Sequence, residues 1–165
     1  MVDTLPNYVG GQWRDADAQR LLDVTNPGTG EILARVPLSK SSELDLAVDA
    51  AREAFQGWSR TAASQRVQPL FKLAQLLDSN SERIARQISE EMGKSLPDAR
   101  AEMKRAIENT QVACGMPTMI QGDTLIDAAG GIDGEVMHLP MGVFGAIVPF
   151  NFPAMVPFWF LPYAV

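Results

Sequence analysis

From Leu139 to Val165 the chain runs for 27 residues without one charged side chain, whereas acids and bases are scattered throughout up to Glu135. An uncharged stretch of that length is long enough to cross a bilayer as a helix. Its prolines argue otherwise. Pro140, Pro149, Pro153, Pro157 and Pro162 each lack an N–H and disturb a helix interior. No Lys or Arg flanks the run, and Asn151 lies inside it. The favoured reading is a buried strand, a turn and a buried helix within a larger core, with no membrane association. The run also stops in mid-pattern, at Phe158-Trp159-Phe160-Leu161-Pro162-Tyr163-Ala164-Val165. A native C-terminus is usually polar and solvated, so the expectation is the N-terminal part of a longer polypeptide.

Composition narrows the function classes. At 165 residues with 46% hydrophobic and 21% charged side chains, the chain has the makeup of one globular domain. Lys plus Arg total 14 against 20 Asp plus Glu, so a net charge of -6 makes nucleic acid an unsuitable partner. One Cys excludes an internal disulfide, and one Cys with one His excludes a Cys/His metal cluster. The opening Met1-Val2-Asp3-Thr4-Leu5-Pro6 has no basic region leading into an apolar one, so a reducing cytoplasm is the expected location.

Periodicity predicts a mixed α/β chain. Tyr8-Val9-Gly10-Gly11-Gln12-Trp13 fits two short strands around a Gly-Gly turn. Asn26-Pro27-Gly28-Thr29-Gly30 fits a loop, and Glu31 to Val36 a strand. Ser42-Glu43-Leu44-Asp45 resembles a capping box, followed by helical apolar spacing from Leu44 to Trp58. A second helix is expected over 64–77, with Pro69 kinking it or marking its true start. Asn80 should cap a third that ends at Gly93, and Pro97 should open a fourth running to about Cys114. Residues 123–126 and 135–138 look like a hairpin across 128–131. Gly142 to Val148 is apolar throughout, as expected of a parallel strand buried on both faces, and Pro153 is the expected start of the last helix.

The chemistry concentrates at Ile147-Val148-Pro149-Phe150-Asn151-Phe152-Pro153, between the expected strand and helix. Ligands of open α/β sheets bind at that carboxyl end. An Asn amide offers two N–H donors and cannot ionise, which suits an oxyanion site in a dry pocket. The competing reading is that Asn151 satisfies backbone groups of a tight turn. Gly142-x-x-Gly145 is no dinucleotide fingerprint, because it lies inside the expected strand and lacks the third glycine. Cys114, at a helix end without a base beside it, fits a small buried hydrophobe. His138 fits a packing or surface residue. Arg105, among Glu102, Lys104 and Glu108, fits a solvated helix position.

In order and spacing, Tyr8 to Trp13, Val24 to Ile32 and Gly142 to Pro153 resemble the N-terminal third of the aldehyde dehydrogenase superfamily. The Phe-Asn-Phe-Pro form, with Ala154-Met155-Val156-Pro157 behind it and Arg105-Ala106-Ile107-Glu108-Asn109 before it, most resembles the CoA-acylating methylmalonate-semialdehyde branch. The resemblance implies a three-part subunit in a homo-oligomer, a tetramer or dimer. Residues 1–121 would supply helices of a Rossmann-like NAD domain, 122–139 part of an oligomerisation hairpin, and 140–165 the first core strand and the start of the next helix. It implies Asn151 as the oxyanion donor, and Ile147, Val148, Pro149 and Phe150 along the nicotinamide end of NAD. It implies Arg105 at the carboxylate of a small aldehyde substrate, with CoA as co-substrate. A guanidinium suits that carboxylate because it can bind both oxygens at once. The family's nucleophilic Cys and its NAD-ribose residues would lie beyond Val165, leaving this stretch inactive alone. A non-acylating aldehyde dehydrogenase and a stand-alone interaction module are the alternatives.

Overall fold

The computed structural model describes residues 2–165. Strands β1 (Asn7–Val9) and β2 (Gln12–Arg14) pair antiparallel across Gly10-Gly11, and the rings of Tyr8 and Trp13 meet across the pair at 4.8 Å between centroids. β3 (Leu21–Thr25) pairs with β4 (Ile32–Pro37) around the loop at 26–31, where the Asn26 side chain accepts the Gly28 N–H. β3 was not apparent in the sequence. Its short run, Leu21-Leu22-Asp23-Val24-Thr25, is exposed along most of its length and gains its order from β4.

Helix α1 (Ser41–Trp58) begins before the expected Ser42 box. Glu43 accepts the Lys40 N–H at 3.0 Å, so the cap sits two residues earlier and is one-sided, since Lys40 has no side-chain acceptor. The apolar stripe of α1 is half-buried at best among the described residues, and Leu44 is exposed. The expected helix over 64–77 is two: α2 (Ala63–Arg66) and α3 (Gln68–Ser79), with Pro69 in the first turn of the latter. Asn80 precedes α4 (Ser81–Met92) but caps backwards, donating its side-chain N–H to the Leu76 carbonyl at the end of α3. Gly93 ends α4 at φ 74, where a Cβ would lie 2.9 Å from Pro27 Cγ, so glycine is required twice over. Ser95 then caps α5 (Leu96–Ala113), with Pro97 in its first turn, and the short α6 (Met116–Met119) follows.

The core forms where α3, α4 and α5 meet, around Leu77, Ala85, Ile88, Ala99, Met103 and Ala154. A smaller cluster joins Val67, Leu70 and Ala113. Ala85, Ala99 and Ala106 are fully buried, and their small side chains let helix backbones approach closely.

The expected hairpin is present as β5 (Thr124–Ala129) and β6 (Ile132–Glu135), with a register shift at Asp127, whose φ is 51. Both strands are almost wholly exposed. The expected parallel strand at 142–148 is not found: residues 139–149 carry no ladder, and the three sheets among the described residues are antiparallel pairs. An interior parallel strand needs neighbours on both sides to satisfy its N–H and C=O groups, and none lies beside this one. Ile147 is fully exposed as a result. The last helix, α7 (Pro157–Ala164), opens at Pro157 rather than Pro153. No helix among the described residues is long and apolar enough to cross a membrane.

Candidate active site

The turn from Phe150 to Val156 is held from beneath by one buried ion pair. Lys94 stands in the three-residue link between α4 and α5, aimed by the left-handed Gly93 before it and the Ser95 cap after it. Its Nζ donates to Glu102 Oε2 at 2.6 Å and to the Asn151 carbonyl at 2.8 Å, and it lies 4.0 Å from the centre of the Phe152 ring. Glu102 Oε1 accepts the N–H groups of Ala154 at 2.8 Å and Met155 at 3.1 Å. The Glu102 carboxylate has no exposed surface and the Lys94 side chain only 10%. Two amides of the turn go to a carboxylate on α5, as the free N–H groups of a helix entry do, and the regular helix follows from Pro157.

Asn151 itself is exposed, and no hydrogen bond among the described residues occupies its side-chain amide. The backbone of the turn is therefore satisfied by Lys94 and Glu102 and not by Asn151. Ile147, Val148, Pro149 and Phe150 lead into it as one exposed, uncharged stretch. These five residues are consecutive and all exposed. The structure does not bring Arg105 to them by any hydrogen bond or ion pair; Arg105 lies exposed on α5, solvated as its position predicts.

Cys114 is partly buried at the end of α5, its Sγ donating to the Thr110 carbonyl at 3.4 Å. Burial pushes its thiol pKa up, which keeps it protonated and a poor nucleophile. His138 is exposed beside an apolar groove of about 470 Å³ that also involves Trp58, Val67 and Phe144, away from Asn151. Among the described residues no group of acidic, His or Cys side chains is placed to hold a metal ion.

Lys94 and Glu102 escaped the sequence reading, which took Glu102 for one more charge on a solvated helix. The signal was its phase. Ala99, Glu102, Met103, Ala106, Thr110 and Ala113 follow helical spacing and form the buried face of α5. A carboxylate on that face needs a buried partner.

Comparison with known proteins decides the family. The aldehyde dehydrogenase family profile matches residues 13–165. The chain belongs to the aldehyde dehydrogenase family. It is 46% identical over 164 residues to malonate-semialdehyde dehydrogenase 2 of Bacillus mycoides, covering 99% of this chain and 34% of that protein. Among solved structures it resembles methylmalonate-semialdehyde dehydrogenase of Oceanimonas doudoroffii, with TM-score 0.92 and 37% identity over 99% of this chain and 33% of the other. A Sinorhizobium meliloti 1021 protein solved in complex with NAD gives TM-score 0.90 and 31% identity, covering 96% and 32%. The chain spans about a third of the length of the relatives it matches. Within that third, the arrangement of helices and hairpins is that of an aldehyde dehydrogenase N-terminal region, as the motifs imply.

Proposed function

We propose that this chain is the N-terminal third of an NAD-dependent oxidoreductase that converts malonate or methylmalonate semialdehyde and CoA to acetyl-CoA or propionyl-CoA through a cysteine thioester, with loss of carbon dioxide. On this reading residues 1–121 and 140–165 belong to the NAD-binding domain and 122–139 to an oligomerisation hairpin of a tetramer, in the cytoplasm. The reading draws support from the names of the relatives and from one feature of the site: an amide at Asn151 without a partner among the described residues, in a turn whose Asn151 carbonyl and Ala154 and Met155 amides are held by other groups. A neutral donor held ready and unspent is what a developing oxyanion requires.

The residues fit NAD at its nicotinamide end. Ile147 to Phe150 form an uncharged, exposed edge suited to a flat, weakly polar ring, next to the amide that would face the reacting carbonyl. Held along Ile147 to Phe150, NAD would supply the hydride acceptor. The chain's own part is to present Asn151 Nδ2 to the carbonyl oxygen as it gains charge, and to exclude water with the apolar stretch before it. Arg105 would hold the substrate carboxylate. The attacking thiolate comes from the remainder of the subunit, since Cys114 is kept as a thiol. The 165 residues alone are inactive on this reading.

The test is made in the complete subunit. Asn151→Ala is expected to lower kcat by roughly 10²–10³-fold while NAD affinity, from fluorescence titration, stays unchanged. Equal losses in both would refute the oxyanion role. Arg105→Leu is expected to raise KM for the carboxylated aldehyde and to spare propanal; unchanged kinetics on both substrates would remove Arg105 from the site.

A further inference from the structure

We propose that Lys94 and Glu102 act together as positioning residues for the Asn151 amide, an inference that rests on the oxyanion reading of Asn151. The argument starts from where the bonds land. Within five residues the turn is fastened three times: at the Asn151 carbonyl by Lys94, and at the Ala154 and Met155 amides by Glu102. All three fastenings run through a single ion pair of 2.6 Å. Phe152, between them, lies against the ammonium. The pair holds the backbone directly after the side chain of Asn151, which is exposed and, among the described residues, unbonded.

A helix cap alone needs less. Glu102 by itself would satisfy the two amides. The ammonium reaches past it to the carbonyl of Asn151, fixing the peptide plane on which that side chain is mounted. With this carbonyl and the two later amides pinned, the C-terminal side of the Asn151 backbone is anchored to α5 and to the α4–α5 link. The two charges cancel, so the pair adds no net charge beside the reacting oxygen, and its contribution is one of geometry. Displacing an oriented catalytic group by about 1 Å costs on the order of 10²-fold in rate.

The experiment uses the complete subunit and two variants. Glu102→Gln breaks the ion pair but keeps one carbonyl oxygen for the amides. Lys94→Met combined with Glu102→Gln removes both charges at nearly constant shape, so no lone charge is left buried to unfold the protein. Each is expected to lower kcat by about 10²-fold, with the KM for NAD and for aldehyde unchanged. Amide hydrogen exchange in the 150–156 segment should become faster. Lys94→Arg, which retains a cationic donor, should recover part of the loss. Placed on an Asn151→Ala background, the double variant should cost little more, because its target is already gone. Unchanged kcat in the folded double variant overturns the proposal, as does a full additional loss on the Asn151→Ala background. If Asn151→Ala alone leaves kcat intact, the oxyanion reading has failed and this proposal fails with it. If only the Lys94 and Glu102 variants are silent, that reading stands and the positioning role falls.

Discussion

Two regions of this molecule are comparably rich in apolar residues and behave in opposite ways. Helices α3, α4 and α5 bury Leu70, Leu77, Ile88 and Met103 against one another and against Ala154 to Val156. Residues 123–150 carry as conspicuous an apolar pattern, yet Ile126, Met137, Leu139, Met141 and Ile147 all lie open. The difference is the availability of a partner surface. The helical unit meets its partners in residues 68–113 and again in Ala154. The extended region meets little: residues 138–144 only line an open groove with Trp58 and Val67, so most of its apolar character is not converted into burial. Hydrophobicity along a chain states what a segment requires, and topology decides whether it is met.

The sharpest way to break that comparison is a matched pair of truncations. Met103 is 1% exposed in the middle of the α3–α4–α5 contact. Met103→Ala should destabilise this chain by about 2–5 kcal/mol, the range for a buried side chain cut back to leave a cavity. Ile147→Ser, on a larger apolar side chain by sequence standards, should change stability by no more than about 0.5 kcal/mol. Urea unfolding of the three chains decides it. Equal effects would mean that 139–150 is packed against something, and the contrast between the regions would be void.

The same contrast explains what was legible in the sequence. Elements specified by local chemistry stand where expected: β1 and β2 around Gly10-Gly11, the close of α4 at Gly93 and Pro97 in the first turn of α5; the hairpin forms too, with its second strand at Ile132–Glu135 instead of 135–138. Each depends on residues a few positions apart. Elements specified by distant partners were misplaced. The strand expected at 142–148 needs neighbours that no local pattern can supply. The last helix opens at Pro157, and the turn before it is held by Glu102, more than fifty positions upstream, through the amides of Ala154 and Met155. Asn80 turned back to α3, where its side-chain amide joins its own N–H and the Ser79 hydroxyl at the Leu76 carbonyl. The candidate site divides in the same way. Ile147 to Asn151 could be picked out by composition, whereas Lys94 and Glu102 are tied to it only by the fold.

A smaller effect sharpens the comparison on the side of the helical unit, where α4 and α5 are also joined at the surface. Glu82, in the first turn of α4, accepts two hydrogen bonds from the Arg100 guanidinium, each 2.8 Å, and is paired with Arg86 on its own helix. The Arg100 hydrogen bonds, aided by both nearby positive charges, hold its carboxyl at about 2, below the usual 4.5. A carboxyl lowered on folding stabilises the native state above its unfolded value, and the contribution disappears as pH falls through the folded one. The Tm gap between the native sequence and Glu82→Gln should therefore be constant at neutral pH and close between pH 4.5 and about 2. Because the pair is solvent-exposed, the gap should be small and should shrink further in high salt. A gap that persists unchanged into acid would show that Glu82 contributes through packing and not through charge. The α4–α5 contact would then rest on its apolar face alone, which widens the contrast with the open region instead of narrowing it.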